Sequence, residues 1–197
     1  LKNGILTCKD DGTIISLRDT KGRLEEEQGL EYYNGIIVPG FVNCHCHLEL
    51  SSMKGQIPEK IGIGSFLGEI FKLRESQTEK DCKAIEDAIL SLWFTGTVAV
   101  GDVSNSLLTL DIKKQSNLYF HTFAEAYGFM PSRAERAFDQ ACFIEQKFRE
   151  SGLNASIVPH SPYSVSKPLF KKIAHKAFIE KSILSIHNQE SIGEEQF

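Results

Sequence analysis

The residues Pro39-Gly40-Phe41-Val42-Asn43-Cys44-His45-Cys46-His47-Leu48-Glu49 decide how the rest of the chain is read. Pro39-Gly40 punctuates the chain, and Phe41 to His47 reads as a strand. Successive strand side chains alternate faces, so His45 and His47 share one face, roughly 6–7 Å apart at Cα. Two imidazoles so placed can both reach one metal ion at about 2.0–2.1 Å. The alternative for an isolated pair is two satisfied polar residues on a half-exposed strand. Cys44 and Cys46 point to the opposite face and are expected to pack under a helix.

Downstream, a polar connection leads to a short helix near Ser65 to Arg74. Thr78-Glu79-Lys80-Asp81 has the form of a capping box. It opens a helix with Cys82, Ile85, Ile89, Leu92 and Trp93 on one stripe. Gly96 stops that helix, and Thr97 to Val103 is an apolar strand. Ser106 to Gln115 is a weaker helix and Leu118 to Ala126 a strand. Pro131 stands where a first helical turn tolerates it. The helix after it buries Ala134, Phe138, Ala141, Ile144 and Phe148 by spacing and ends at Gly152. Ala155 to Pro159 is a strand, Lys167 to Ile179 a helix, and Ser182 to His187 a fifth strand. Strict alternation of strand and helix implies parallel strands with helices outside. An open doubly wound sheet and a (β/α)8 barrel both fit. On the barrel reading about three units lie beyond Phe197, and Leu1 in place of a methionine points to a longer polypeptide.

Upstream, Gly4 to Lys9 and Thr13 to Leu17 are short strands around the turn signal Asp10-Asp11-Gly12. Lys21 to Gly29 is a polar loop, and Ile36-Ile37-Val38 reads as a third strand stopped by Pro39. The expected domains are therefore residues 1–39 and 40–197.

Composition excludes several classes. The chain has 197 residues, 41% hydrophobic and 24% charged, which is ordinary for a globular protein and not for a disordered one. A net charge of -4 gives no basic surplus for nucleic acid. No apolar run approaches a membrane span. The five cysteines are scattered without a C-x-x-C, as expected of reduced thiols in the cytoplasm.

Two further strand ends carry polar residues. Ser182-Ile183-Leu184-Ser185-Ile186-His187 ends in a histidine that can supply a third nitrogen ligand, with Glu190 three residues on. Polar groups at the C-terminal ends of parallel strands face the active-site side of α/β proteins. A carboxylate there can move a proton between water and substrate. Pro159-His160-Ser161-Pro162-Tyr163-Ser164 puts His160 on the same rim.

Taken together, these motifs resemble the amidohydrolase superfamily, in particular its branch of ring deaminases and chlorohydrolases such as the S-adenosylhomocysteine, guanine and aminofutalosine deaminases. V-P-G-F-V-N-C-H-C-H-L-E-L resembles the family's first strand, G-T-V-A-V-G-D-V its second, H-S-P-Y-S-V-S its fourth-strand end and S-I-H-N-Q-E its fifth. The match spans about residues 36–190. The resemblance implies a (β/α)8 barrel, about five of whose eight strands are in this chain, with a small β-sandwich to which the N-terminal residues contribute. It implies His45, His47 and His187 as ligands of one divalent metal ion, zinc or iron. It implies Glu190 as the proton shuttle and His160 as a substrate contact. The implied reaction is hydrolytic removal of an amino group from an aromatic heterocycle by water activated on the metal. A sixth-strand histidine and an eighth-strand aspartate are expected after Phe197. The expected partner is a small heterocyclic substrate, without nucleic acid or membrane, and a homodimer is left open. The other readings are a catalytically silent relative with an assembly role, and dechlorination or amide hydrolysis on the same scaffold.

Glu49 continues the parity of His45 and His47, so it is a candidate substrate contact or a rim carboxylate in water. His121 and Glu125 share a face of their strand and are candidates for the pocket, with His121 read as a core or helix-facing residue. Asp102 is read as a structural acceptor for a neighbouring loop, and His175 as solvent-exposed.

Overall fold

The computed structural model describes residues 1–23, 26–76 and 81–195, and the chain divides into two compact units, Leu1–Val38 and Pro39–Phe197. In the first unit, strands β1 (Ile5–Cys8) and β2 (Ile14–Arg18) pair antiparallel. Gly12 adopts φ 84° in the turn, and the Thr13 backbone N–H donates to Asp11 Oδ1 at 2.8 Å. The expected third strand is absent among the described residues. Ile36, Ile37 and Val38 form no ladder, and Ile36 is 90% exposed. A three-residue run before a proline without a neighbouring strand leaves its backbone groups to water.

The second unit contains β3 (Phe41–Cys46), β4 (Thr97–Ser104), β5 (Tyr119–Ala126) and β6 (Asn154–Pro159). They form one parallel sheet in that order. Helices α1 (Ile63–Glu75) and α2 (Asp81–Phe94) lie between β3 and β4 in sequence. Helices α3 (Leu110–Gln115), α4 (Ala134–Glu150) and α5 (Lys167–Glu180) follow the later strands, and α6 (Ile192–Glu195) is a single turn. The capping box falls, apart from Asp81, outside the described residues. The weak helix after Ser106 is shorter than its pattern suggests and begins only at Leu110.

The core follows the two periodicities. Ala124, Ala126, Ala155 and Ile157 of the sheet meet Ala141, Ile144 and Phe148 of α4 and Leu169 and Ile173 of α5. Phe138 packs half-buried against this cluster. Ile85 and Ile89 of α2 cover Val100 and Phe120. Burial of each large side chain stabilises by roughly 1.5–3 kcal/mol. On the opposite face of the sheet, Val103, Phe123 and Val158 form a smaller cluster. Gly101 of β4 is required there, because a Cβ would lie 2.6 Å from the Cys44 carbonyl oxygen and 2.8 Å from the Phe123 ring.

The expected fifth strand is the second correction. Residues 182–187 are extended beside β6 but join no ladder. The Ser156 hydroxyl donates to the Ile183 carbonyl at 2.7 Å, and the His187 N–H donates to the His160 carbonyl at 2.8 Å. Scattered side-chain and backbone bonds hold this segment in place without the repeating exchange that defines a strand. No helix among the described residues is long and apolar enough to cross a membrane.

Candidate metal centre

Strand β3 ends at Cys46, and a 3-10 turn, Leu48–Met53, follows His47. His45 and His47 therefore leave the same face of the strand end. Opposite them, His187 closes the extended segment after α5. The structure brings these three together: His45 Nε2 and His47 Nε2 each lie 3.0 Å from His187 Nε2. Their ligating atoms all lie within 4.8 Å of one another.

The outward nitrogens orient two of the rings. His187 Nδ1 donates to the His160 carbonyl at 3.0 Å, which leaves Nε2 with its lone pair. His45 Nδ1 sits 3.3 Å from the Ser185 hydroxyl. His47 Nδ1 is buried without a hydrogen-bond partner among the described residues. Burial, followed by the neighbouring histidines, pushes His47 down to about 3. Burial, with His187 next, also lowers His45. Neutral imidazoles around one point form a donor set that suits a divalent ion such as zinc, and an outer hydrogen bond that orients the ring is the usual companion of a ligating histidine. The residues present thus fit a metal ion.

His160 stacks on His187, with ring centroids 4.7 Å apart. Its Nδ1 meets the hydroxyls of Ser161 and Ser164 at 2.9 and 2.8 Å. Burial, chiefly, pushes its pKa down to about 4. Glu190 is exposed on the rim of a cavity of about 680 Å³ that His45 and His187 also line. The Tyr163 hydroxyl donates to Glu190 Oε2 at 2.6 Å, and burial together with that bond pushes Tyr163 up to about 12. Tyr163 lies inside a motif already singled out, yet nothing in its spacing identifies it as the partner of Glu190.

Glu49 is not a rim carboxylate in water. It is 2% exposed. Its Oε1 receives Arg74 at 2.8 Å, and its Oε2 receives the Asn105 N–H at 3.1 Å and the Ser106 hydroxyl at 2.9 Å. Glu49 stands in the 3-10 turn that begins at Leu48, which carries it into this enclosed set of donors. Asn105 also donates to Glu125 Oε2 at 3.0 Å. Glu125 Oε1 is buried 3.5 Å from His187 Nδ1, and burial raises its pKa. Glu125, His160 and His187 thereby form a second close group. His121 does not face the helices. It lines the cavity beside Phe123 and bonds the Ser156 hydroxyl at 2.9 Å. Cys46 packs against the α2 cluster as expected, whereas Cys44 is exposed.

No family model matches the chain. It is 31% identical over 167 residues to an adenosine deaminase of Helicobacter pylori, covering 83% of this chain and 40% of that protein. It is 28% identical over 173 residues to an aminodeoxyfutalosine deaminase of Nitratiruptor sp., covering 83% and 41%. Among solved structures, Helicobacter pylori aminofutalosine deaminase in complex with methylthio-coformycin aligns with a TM-score of 0.70 at 27% identity, covering 80% of this chain and 39% of that one. Atrazine chlorohydrolase from Arthrobacter aurescens, complexed with zinc, aligns with a TM-score of 0.62 at 16% identity over 76% and 40%. That last likeness concerns the fold alone. The chain spans about two-fifths of the length of these relatives, and its parallel sheet with helices covers part of their barrel.

Proposed function

From its kinship with the amidohydrolase-type deaminases, we propose that this protein holds one divalent metal ion on His45, His47 and His187. Its reaction is the hydrolytic removal of an amino group from an aromatic heterocycle of the purine or nucleoside kind. The observation that carries the reading is the convergence of three imidazole Nε2 atoms from two distant segments, with 3.0 Å between His187 and each of the others. When bound, the ion supplies Lewis-acid chemistry at neutral pH. Zinc suits an all-imidazole set, and iron is the alternative.

The chain's own side chains divide the remaining work. The His160 carbonyl fixes the tautomer of His187 and so aims its Nε2 lone pair. Tyr163 stays protonated and donates to Glu190, which holds that carboxylate at the cavity rim. Glu190 takes a proton from water and gives it to a ring nitrogen of the substrate, which opens the ring carbon to attack by the water oxygen; the second proton of that water then passes to the amino nitrogen, the C–N bond breaks and ammonia leaves. With Nδ1 engaged by two serine hydroxyls, His160 has Nε2 left for a substrate heteroatom. Glu49 holds Arg74 and the chain at Asn105, and its part is to position those elements.

The test is metal analysis of the complete purified protein, followed by ammonia release from adenosine, 5-methylthioadenosine and S-adenosylhomocysteine. One equivalent of zinc or iron and metal-dependent ammonia release are expected. Absence of stoichiometric metal overturns the reading, and chloride release from halogenated rings without deamination moves the chemistry to dechlorination.

A further inference from the structure

Behind the histidine-bearing end of β3, on the side away from the ligands, lies an ion pair that the proposed chemistry does not use. Lys113 Nζ and Asp102 Oδ2 are 2.6 Å apart, and both side chains are 0% exposed. Lys113 also donates to the Thr122 hydroxyl at 2.9 Å and lies 4.7 Å from the centre of the Phe148 ring. The other carboxylate oxygen, Asp102 Oδ1, accepts the backbone N–H of Leu48 at 2.7 Å. It also receives a weak contact from the Cys46 thiol at 3.6 Å. The residues held, Cys46 and Leu48, flank His47.

We infer that Asp102, oriented by the buried ammonium of Lys113, is a positioning residue that fixes the backbone at His47 and thereby the angle at which its imidazole meets those of His45 and His187. The inference rests on reading the three histidines as a metal centre. The physical argument is that β3 ends at Cys46, so the backbone at His47 and Leu48 has no further ladder to hold it. A charged acceptor in a dry site makes a strong, directional bond to that N–H. Lys113 holds one carboxylate oxygen, which limits rotation and leaves the other aimed at the Leu48 N–H. A pair serving stability alone needs no bond to the backbone beside a ligand, since well-packed apolar residues of similar volume are often as stabilising as a buried ion pair.

That contrast supplies the experiment. Zinc affinity is measured by chelator competition on the complete metal-free protein in two double variants, with folding followed by circular dichroism. D102N/K113M removes both charges but keeps an oxygen acceptor for the Leu48 N–H. D102L/K113M keeps the volume filled and removes the acceptor. The expected result is zinc affinity within about threefold of wild type for the first and a loss of roughly 10- to 100-fold for the second, the range typical of outer-sphere partners. Equal affinities in the two folded variants, whether both retained or both lost, overturn the inference. Wild-type protein that binds no zinc overturns the metal reading itself. If the leucine variant does not fold, amide exchange in the wild type decides. Zinc is then expected to slow exchange at Leu48 at least tenfold more than at Val100 and Phe123, and equal slowing across the sheet overturns the inference.

Discussion

The two faces at the end of β3 solve opposite electrostatic problems. On the front, His45, His47 and His187 bring three imidazole nitrogens together, and burial holds the first two below the ordinary histidine range. On the back, full charges on Asp102 and Lys113 are buried completely and satisfied by each other, by Thr122 and by the Leu48 backbone. The back is complete in itself. The front is a set of donors that gains a common acceptor only from a cation. A site of this kind binds tightly when its rigid side has already been ordered during folding, so that little conformational freedom is lost on binding.

The strongest way to break the comparison is His187→Ala. It removes the nitrogen that the other two share, and zinc affinity is expected to fall by more than about 100-fold, beyond the usual outer-sphere effect. The metal-free protein should lose only about 0.5–1.5 kcal/mol, from the bond to the His160 carbonyl. Calorimetric titration and a melting curve check the two halves. Lys113→Met acts on the other face. It leaves Asp102 buried without its cation, and a loss of about 3–5 kcal/mol is expected in urea unfolding. Gly101→Ala forces a methyl group against the Cys44 carbonyl between the two faces. Overpacking of this sort costs about 1–3 kcal/mol, and zinc affinity should fall with stability because β3 carries His45.

A pH dependence also acts on the front. In the unfolded chain His47 and His160 accept protons near 6.5, whereas in the fold they resist until about 3 and about 4, chiefly through burial. Protonation therefore favours the unfolded chain in between, and stability present above 6.5 is lost as pH falls through that window. The melting temperature of the metal-free protein should drop between pH 7.5 and 5. His160→Gln should flatten part of the slope, and an unchanged slope would remove His160 from this account.

Much of the fold is legible locally. Apolar runs after Gly96 and Gly152 mark β4 and β6, and the stripe of Ala134, Ala141, Ile144 and Phe148 marks the buried face of α4. The candidate ligands are legible too, because H-x-H on a strand and a histidine at the end of an apolar run are short-range patterns. Less visible are features set by partners. Residues 182–187 have the composition of a strand, but strand identity requires a ladder. Ile36 to Val38 fail for the same reason. Glu49 is enclosed by Arg74, Asn105 and Ser106, none of which its local sequence names. Lys113 stands next to Lys114 with nothing in the local sequence to separate them, yet one is fully buried and the other exposed.

The sequence by itself determined the alternation of strands and helices, the seam near Pro39 and the identity of three imidazoles, since propensity and side-chain parity act over a few residues. Only the tertiary structure decided that those imidazoles meet, that Glu49 is enclosed and that Asp102 pairs with Lys113. Distance, desolvation and charge pairing depend on groups far apart along the chain, and they take definite values only once the backbone has been folded around them.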